Sequence, residues 1–199
     1  MRVEFEIDDR FWVKVPSAFP SDGFDTAETW AESIVKRYVD DRSELMLAEK
    51  VVVRHLALGA HASLLPTALF GVQFWPTSAP IALMVHVEIG QPLRPSDDPV
   101  QELLHDVPLA LAPSIEVGRI AEFDSVLSAR FVLSNEGRAD PLSGVGYLLT
   151  GPHATVRIMT SPTTTAMVGL IDGPLRDLVA TTRLLDISPP TEDFNGSSN

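Results

Sequence analysis

The sequence predicts an α+β domain: an antiparallel sheet with helices packed on a face. Three observations predict it. Helical spacing falls near the start and the end of the chain, strand-like runs cluster elsewhere, and turn residues separate one strand-like run from the next. No linker or fixed-period repeat divides the 199 residues, so one domain spanning 1–188 is expected, followed by a mobile C-terminal tail, 189–199, that begins at Pro189-Pro190.

The opening segments VEFEI (3–7) and FWVKV (11–15) alternate apolar and polar residues, as strands with one buried face do, and Asp8-Asp9-Arg10 can turn between them. They predict a hairpin. Pro16, Pro20 and Gly23 then make a loop. Asp25 and Glu28 stand at capping-box spacing before a stripe of Ala27, Trp30, Ala31, Ile34, Val35 and Tyr38, which predicts a helix over 26–39. Ser43 can cap a second helical run, SELMLAEKVVVRHLALGAH, and Gly59 can end it, although Val51–Val53 are poor helix formers.

Two short apolar runs, 69–75 and 81–89, read as adjacent strands at the centre of the sheet, joined by a Pro/Thr/Ser/Pro connection. Residues 91–99, with three prolines and two aspartates, form a loop, and VQELLHDV (100–107) fits a short helix. IEVGRIAEF, SARFVLSNE, GVGYLLTG, ATVRIMTS and TTTAMVGLI then predict a meander of four or five strands. Leu175–Leu185 returns to helical spacing, with Leu175, Leu178, Val179, Thr182 and Leu185 on one stripe.

Composition removes several classes of function. Fifteen basic against 27 acidic residues give a net charge of −12, with no basic run, so no nucleic acid and no membrane surface is an expected partner. The absence of cysteine excludes disulfides, thiolate metal sites and thiol nucleophiles. An acidic N-terminus without an apolar leader core, and no run long enough to span a bilayer, predict a cytoplasmic protein. The sequon at Asn195 means little without secretion.

The stretch MVHVEIG (84–90) is the one place where chemistry is suggested. In a strand, His86 and Glu88 project from one face beside Met84, while Val85, Val87 and Ile89 occupy the other. That permits a shared metal or an imidazole oriented by a carboxylate. A zinc centre usually takes three protein ligands, and no third has a recognisable spacing, so the expectation is a wetted polar face opposite a buried apolar one.

Other candidates carry less. His55 and His61, six apart, diverge on a helix, and His105 and His153 stand alone. Ser143-Gly144-Val145-Gly146 lacks the third glycine of a dinucleotide loop and reads as a turn. Lys14, Lys36 and Lys50 belong to no phosphate-binding loop, and no Gly-x-Ser-x-Gly elbow is present. The acidic pairs Asp40-Asp41, Asp97-Asp98 and Glu192-Asp193 fall in loops or at helix ends, where carboxylates cap and solvate. Trp12, Trp30 and Trp75 lie within apolar patterns and are expected in the core.

The order of elements, from FWVKVP through a Trp-bearing helix and strands to DGPLRDLVATTRLL, resembles the PsbP/Mog1-like α+β proteins, from which the helical insertion at 43–61 departs. The resemblance implies an interaction module without an active site. That agrees with the absence of local catalytic signatures, on which no catalytic, cofactor or metal residue is assigned and an enzyme is not the favoured reading. The expected role is a non-enzymatic protein-interaction or accessory module that meets another protein, or a second copy of itself, through an apolar surface, with the apolar run Leu45–Leu58 as the candidate. The rival is a small-molecule-binding or metal-dependent enzyme using the His86/Glu88 face.

Overall fold

The computed structural model describes residues 2–39, 46–76, 82–134 and 141–185. In chain order it contains strands β1 (Arg2–Glu4) and β2 (Trp12–Pro16) and helices α1 (Ala27–Tyr38) and α2 (Met46–Ala62). Strands β3 (Phe70–Phe74) and β4 (Leu83–Gly90) and the short helix α3 (Pro99–Leu104) follow. The meander comprises β5 (Ser114–Ile120), β6 (Phe123–Val132), β7 (Leu142–Thr150) and β8 (Thr155–Thr160). The described chain ends with β9 (Thr163–Thr164), α4 (Thr165–Ala180) and β10 (Arg183–Leu185).

The main sheet is antiparallel and has eight strands, in the order β2-β3-β4-β8-β7-β6-β5, with β9 paired to β7 beyond the end of β8. Strands β3 and β4 read as nearly continuous apolar runs because both of their faces are covered. One face carries Val72, Val85, Val87, Val145, Tyr147, Leu149 and Ile158, which pack against Val168, Ile171, Leu175, Leu178 and Val179 of α4. The opposite face is covered in two separate places. At the β2–β3–β4 end, Val13, Val15 and Met84 meet Trp30, Ala31 and Ile34 of α1 and Ala57 and Ala60 of α2. At the β6–β7–β8 end, Leu127, Ala129, Phe131, Leu148 and Met159 meet Leu103 and Leu104 of α3. Trp12, Trp30 and Trp75 are all buried, as their patterns predict.

The architecture is the expected α+β domain on an antiparallel sheet, and four predicted details differ from it. The two opening segments do not pair with each other. Asp8–Phe11 do turn, but Trp12 of β2 lies opposite Phe74 of β3, while Val3 of β1 lies opposite Leu184 of β10 in a separate two-stranded sheet. Alternation specifies a half-buried strand and not its partner. The cap of α1 is Thr26, whose side chain accepts from Thr29 N at 3.2 Å while Thr29 Oγ1 accepts from Thr26 N, so the capping box starts one residue later than Asp25. Helix α2 continues through Gly59 to Ala62.

The largest difference is TTTAMVGLI, which is a helix apart from Thr163 and Thr164. Threonines, Gly169, Gly173 and Pro174 lower helix propensity, yet Val168, Ile171, Leu175, Leu178 and Val179 fall on one helical stripe, and burying that stripe against the sheet outweighs propensity. Thr164 caps the helix by accepting from Met167 N at 3.3 Å. Arg130 of β6 ties α4 to the meander through Asp172 at 3.0 Å. The 175–185 helix is thus the second half of α4, and Leu185 belongs to β10.

The predicted Ser43 cap, Asp40-Asp41, most of the connection between β3 and β4, the turn at Asn135-Glu136-Gly137, Glu192-Asp193, the Asn195 sequon and the 189–199 tail lie outside the described residues.

The neighbours Leu170 and Ile171 distinguish helix from strand at this point, since Leu170 is 54% exposed and Ile171 fully buried. Ile171→Ala is expected to cost about 2–5 kcal/mol in urea unfolding. Leu170→Ala is expected to stay within about 0.5 kcal/mol of the parent.

Candidate functional site

Met84, His86 and Glu88 share one face of β4, as the period of two requires, and it is the face covered from two places. Met84 belongs to the layer under α1 and α2, and Met159, opposite His86 on β8, belongs to the layer under α3. His86 lies between the two layers. There the helices leave a groove of about 420 Å³, bounded by the loop after α2 (63–67), the segment after α3 (106–108), Phe131 and Leu133 at the end of β6, and residues 157–162 of β8 and its exit.

The expectation of a wetted polar face is therefore corrected. His86 is only 5% exposed, because a sheet covered on both sides has no wet face at its centre. Its Nε2 is 2.9 Å from Ser161 Oγ, and Ser161 is fixed by donating its N–H to the Met84 carbonyl at 2.8 Å. The other ring nitrogen, Nδ1, is buried and has no partner among the described residues. On the same face, Gln73 has an unpartnered Oε1. It is two residues along β3 from Gly71, the residue opposite His86.

Glu88 and Arg157 face each other across β4 and β8, with side chains 13% and 14% exposed. The guanidinium donates from Nη1 to Glu88 Oε2 at 2.8 Å and from Nε to the Leu103 carbonyl at 3.0 Å, which anchors the end of α3 to the sheet. Thr67 Oγ1 donates to the other carboxylate oxygen. Both charges are paired and hydrogen-bonded, the condition under which ions are retained in a poorly solvated place.

Arg157 and Thr67 thus each donate to one oxygen of Glu88, and among the described residues no group of three His, Asp or Glu is placed to hold a metal ion. Burial pushes the His86 pKa below its ordinary 6.5, against the weaker opposing effect of Glu88, so the imidazole is neutral at pH 7.

The other candidates disperse. His61 Nδ1 is 2.8 Å from the Pro16 carbonyl and the ring sits edge-on to Phe19, while His55 is exposed. His105 lies between the Glu102 carbonyl and Asp106, and His153 is exposed in the turn between β7 and β8. Asp98 caps α3 by accepting from Val100 N, and Asp97 accepts from Arg94 N, the capping and turn roles expected of that pair. Gly144 and Gly146 lie inside β7 and not in a turn. A Cβ at Gly144 would meet the Phe131 ring at 2.5 Å, and one at Gly146 would meet Met159 Sδ, so both glycines make room for side chains that wall the groove or lie beneath it.

Thr67, Arg157 and Ser161 are the site residues not anticipated from sequence. Arg157 carried a signal: it is the one charged residue in the run ATVRIMTS, on the parity opposite Val156 and Ile158. Comparison of the chain with protein-family models, with curated proteins and with solved structures finds no match to any of them. The reading of function therefore rests on the geometry alone.

Because the folded chain refuses a proton at His86 that the unfolded chain accepts, its contribution to stability is full above pH 6.5 and is lost as pH falls from 6.5 toward the depressed folded value. Between pH 7.5 and 5.5 the parent should lose more stability in urea titrations than His86→Gln does. Equal losses would show that the imidazole titrates alike in both states.

Proposed function

We propose that the chain is a non-enzymatic binding module that takes a small, largely apolar guest into the groove between α2 and α3. One observation carries the reading: the groove has apolar walls in Leu65, Val107, Phe131, Leu133 and Met159, while the two charged groups on its floor, Glu88 and Arg157, are committed to each other. About 420 Å³ lies within the range of sites that enclose small molecules, which are mostly apolar with a few placed polar groups.

The floor also weighs against the catalytic alternative. Glu88, the carboxylate an acid/base or metal mechanism would use, is held by Arg157 and Thr67. The Ser161–His86 contact has no carboxylate on Nδ1 to orient the ring, as a hydrolytic triad would require.

The neutral fluorophore N-phenyl-1-naphthylamine tests the reading. It is expected to bind the parent with a blue-shifted, enhanced emission and to bind Leu133→Glu at least tenfold more weakly, since that variant sets a charge in the apolar wall. Undiminished binding by Leu133→Glu would place the probe elsewhere and count against the groove.

A second reading, association with another protein or a second copy, is favoured by the outer side of α2, where Val51 and Val52 are each 56% exposed and Leu56 is 38% exposed. On that reading the sedimentation coefficient rises with protein concentration, or a co-purifying partner is retained, and Val52→Glu with Leu56→Glu abolishes the association. A monomer at all concentrations, purified without a partner, would leave this face as ordinary surface.

A further inference from the structure

We propose that the groove selects an uncharged guest carrying one hydrogen-bonding group, and that the Ser161 hydroxyl, backed by His86, is the group that holds it. The inference rests on the groove being a binding site and adds which chemistry it accepts.

The charges around the groove are already compensated or screened. Glu88 and Arg157 cancel at 2.8 Å, each mostly out of water, and both have further hydrogen bonds, to Thr67 and to the Leu103 carbonyl. Neither is a free counter-ion for a guest. His86 is a neutral imidazole in the physiological range. Asp106 at the mouth touches His105 Nε2 at 2.8 Å, and with its side chain 74% exposed its charge is screened by water. A carboxylate or an ammonium carried to the floor of this groove, beside Ser161, loses water without gaining an opposite charge there, the case in which burial is most unfavourable. An uncharged polar group loses much less.

The unpartnered nitrogen of His86 leaves its hydrogen bond to Ser161 adaptable. When both ring nitrogens are hydrogen-bonded, the tautomer of a histidine is fixed by its partners. Here Nδ1 has no partner, so nothing imposes one tautomer, and the bond between Nε2 and Ser161 Oγ can run in either direction. If Nε2 carries the proton and donates to Ser161 Oγ, the serine O–H is free to donate to a carbonyl. If Nε2 accepts from the serine O–H, the remaining oxygen lone pair is free to accept from an amide N–H or a hydroxyl. Ser161 lines the groove and its backbone is tied to Met84, so the hydroxyl is presented from a fixed position. Alcohols and primary amides, which both donate and accept, fit this pair in either state.

A matched eight-carbon series tests the inference on the parent protein at pH 7.5: 1-octanol, octanamide, octanoate and octylamine, each competing with N-phenyl-1-naphthylamine and checked by calorimetry. The two uncharged members are expected to bind at least tenfold more tightly than the two ions. Ser161→Ala should weaken octanamide three- to tenfold, with a far-UV circular dichroism spectrum and urea-unfolding cooperativity like the parent's showing that the variant is folded. Octanoate or octylamine binding as tightly as octanamide would overturn the inference while leaving the groove reading intact, and so would a Ser161→Ala variant with undiminished octanamide affinity. If neither the fluorophore nor any member of the series binds at millimolar concentration, both fall together.

Discussion

A sheet covered on both faces leaves its central strands no wet side on which to place polar residues. In this chain α4, together with Val3, Phe5 and Ile7 of the N-terminal segment, covers one face, while the other is covered by the α1/α2 pair at one end and by α3 at the other. Everything of functional interest follows from the interval between those two layers. His86, Glu88 and Arg157 lie on the floor of that interval, under too much protein to be solvated like surface residues and beneath an open groove. Their only means of being stable there is to satisfy one another.

They do so in pairs that cross from β4 to β8 or its exit. Arg157 answers Glu88 and reaches on to the Leu103 carbonyl, so one guanidinium joins sheet, carboxylate and α3. Ser161 answers His86. The result is a floor that is polar in composition and neutral in charge. The proposed binding role draws on this: Glu88, which could move a proton or hold a cation, is already engaged by Arg157 and Thr67. The unpartnered Nδ1 of His86 is the exception, and it leaves the serine–histidine contact adaptable.

Much of this was legible from sequence and some was not, for physical reasons that differ between elements. The stripe Trp30–Ala31–Ile34–Val35 gave α1, and the meander from 114 to 160 was set by alternation and turn residues, signals that are local. Pairing is not local. Nothing in VEFEI says that its partner is the far end of the chain, and nothing in FWVKV says that it lies beside 70–74. Helix α4 was concealed because Thr163–Thr165, Gly169 and Pro174 are individually poor helix residues, although the spacing of Val168, Ile171 and Leu175 was there to be read. For the site, the shared face of His86 and Glu88 followed from parity. Its burial did not, because parity does not tell how many layers cover a face. Arg157 in the apolar run 154–161 was the clue that Glu88 already had a partner.

The site depends on His86 being an enclosed imidazole, hydrogen-bonded to Ser161 on the floor of a groove and kept neutral by its burial. Following the ring nitrogens of His86 by ¹⁵N NMR as pH is lowered tests it most directly, with Ser161→Ala as the comparison. The account predicts a midpoint below 6.5 for His86 and a change in the Nε2 resonance when the serine hydroxyl is removed. A midpoint at or above 6.5, with ring resonances indifferent to Ser161, would contradict it.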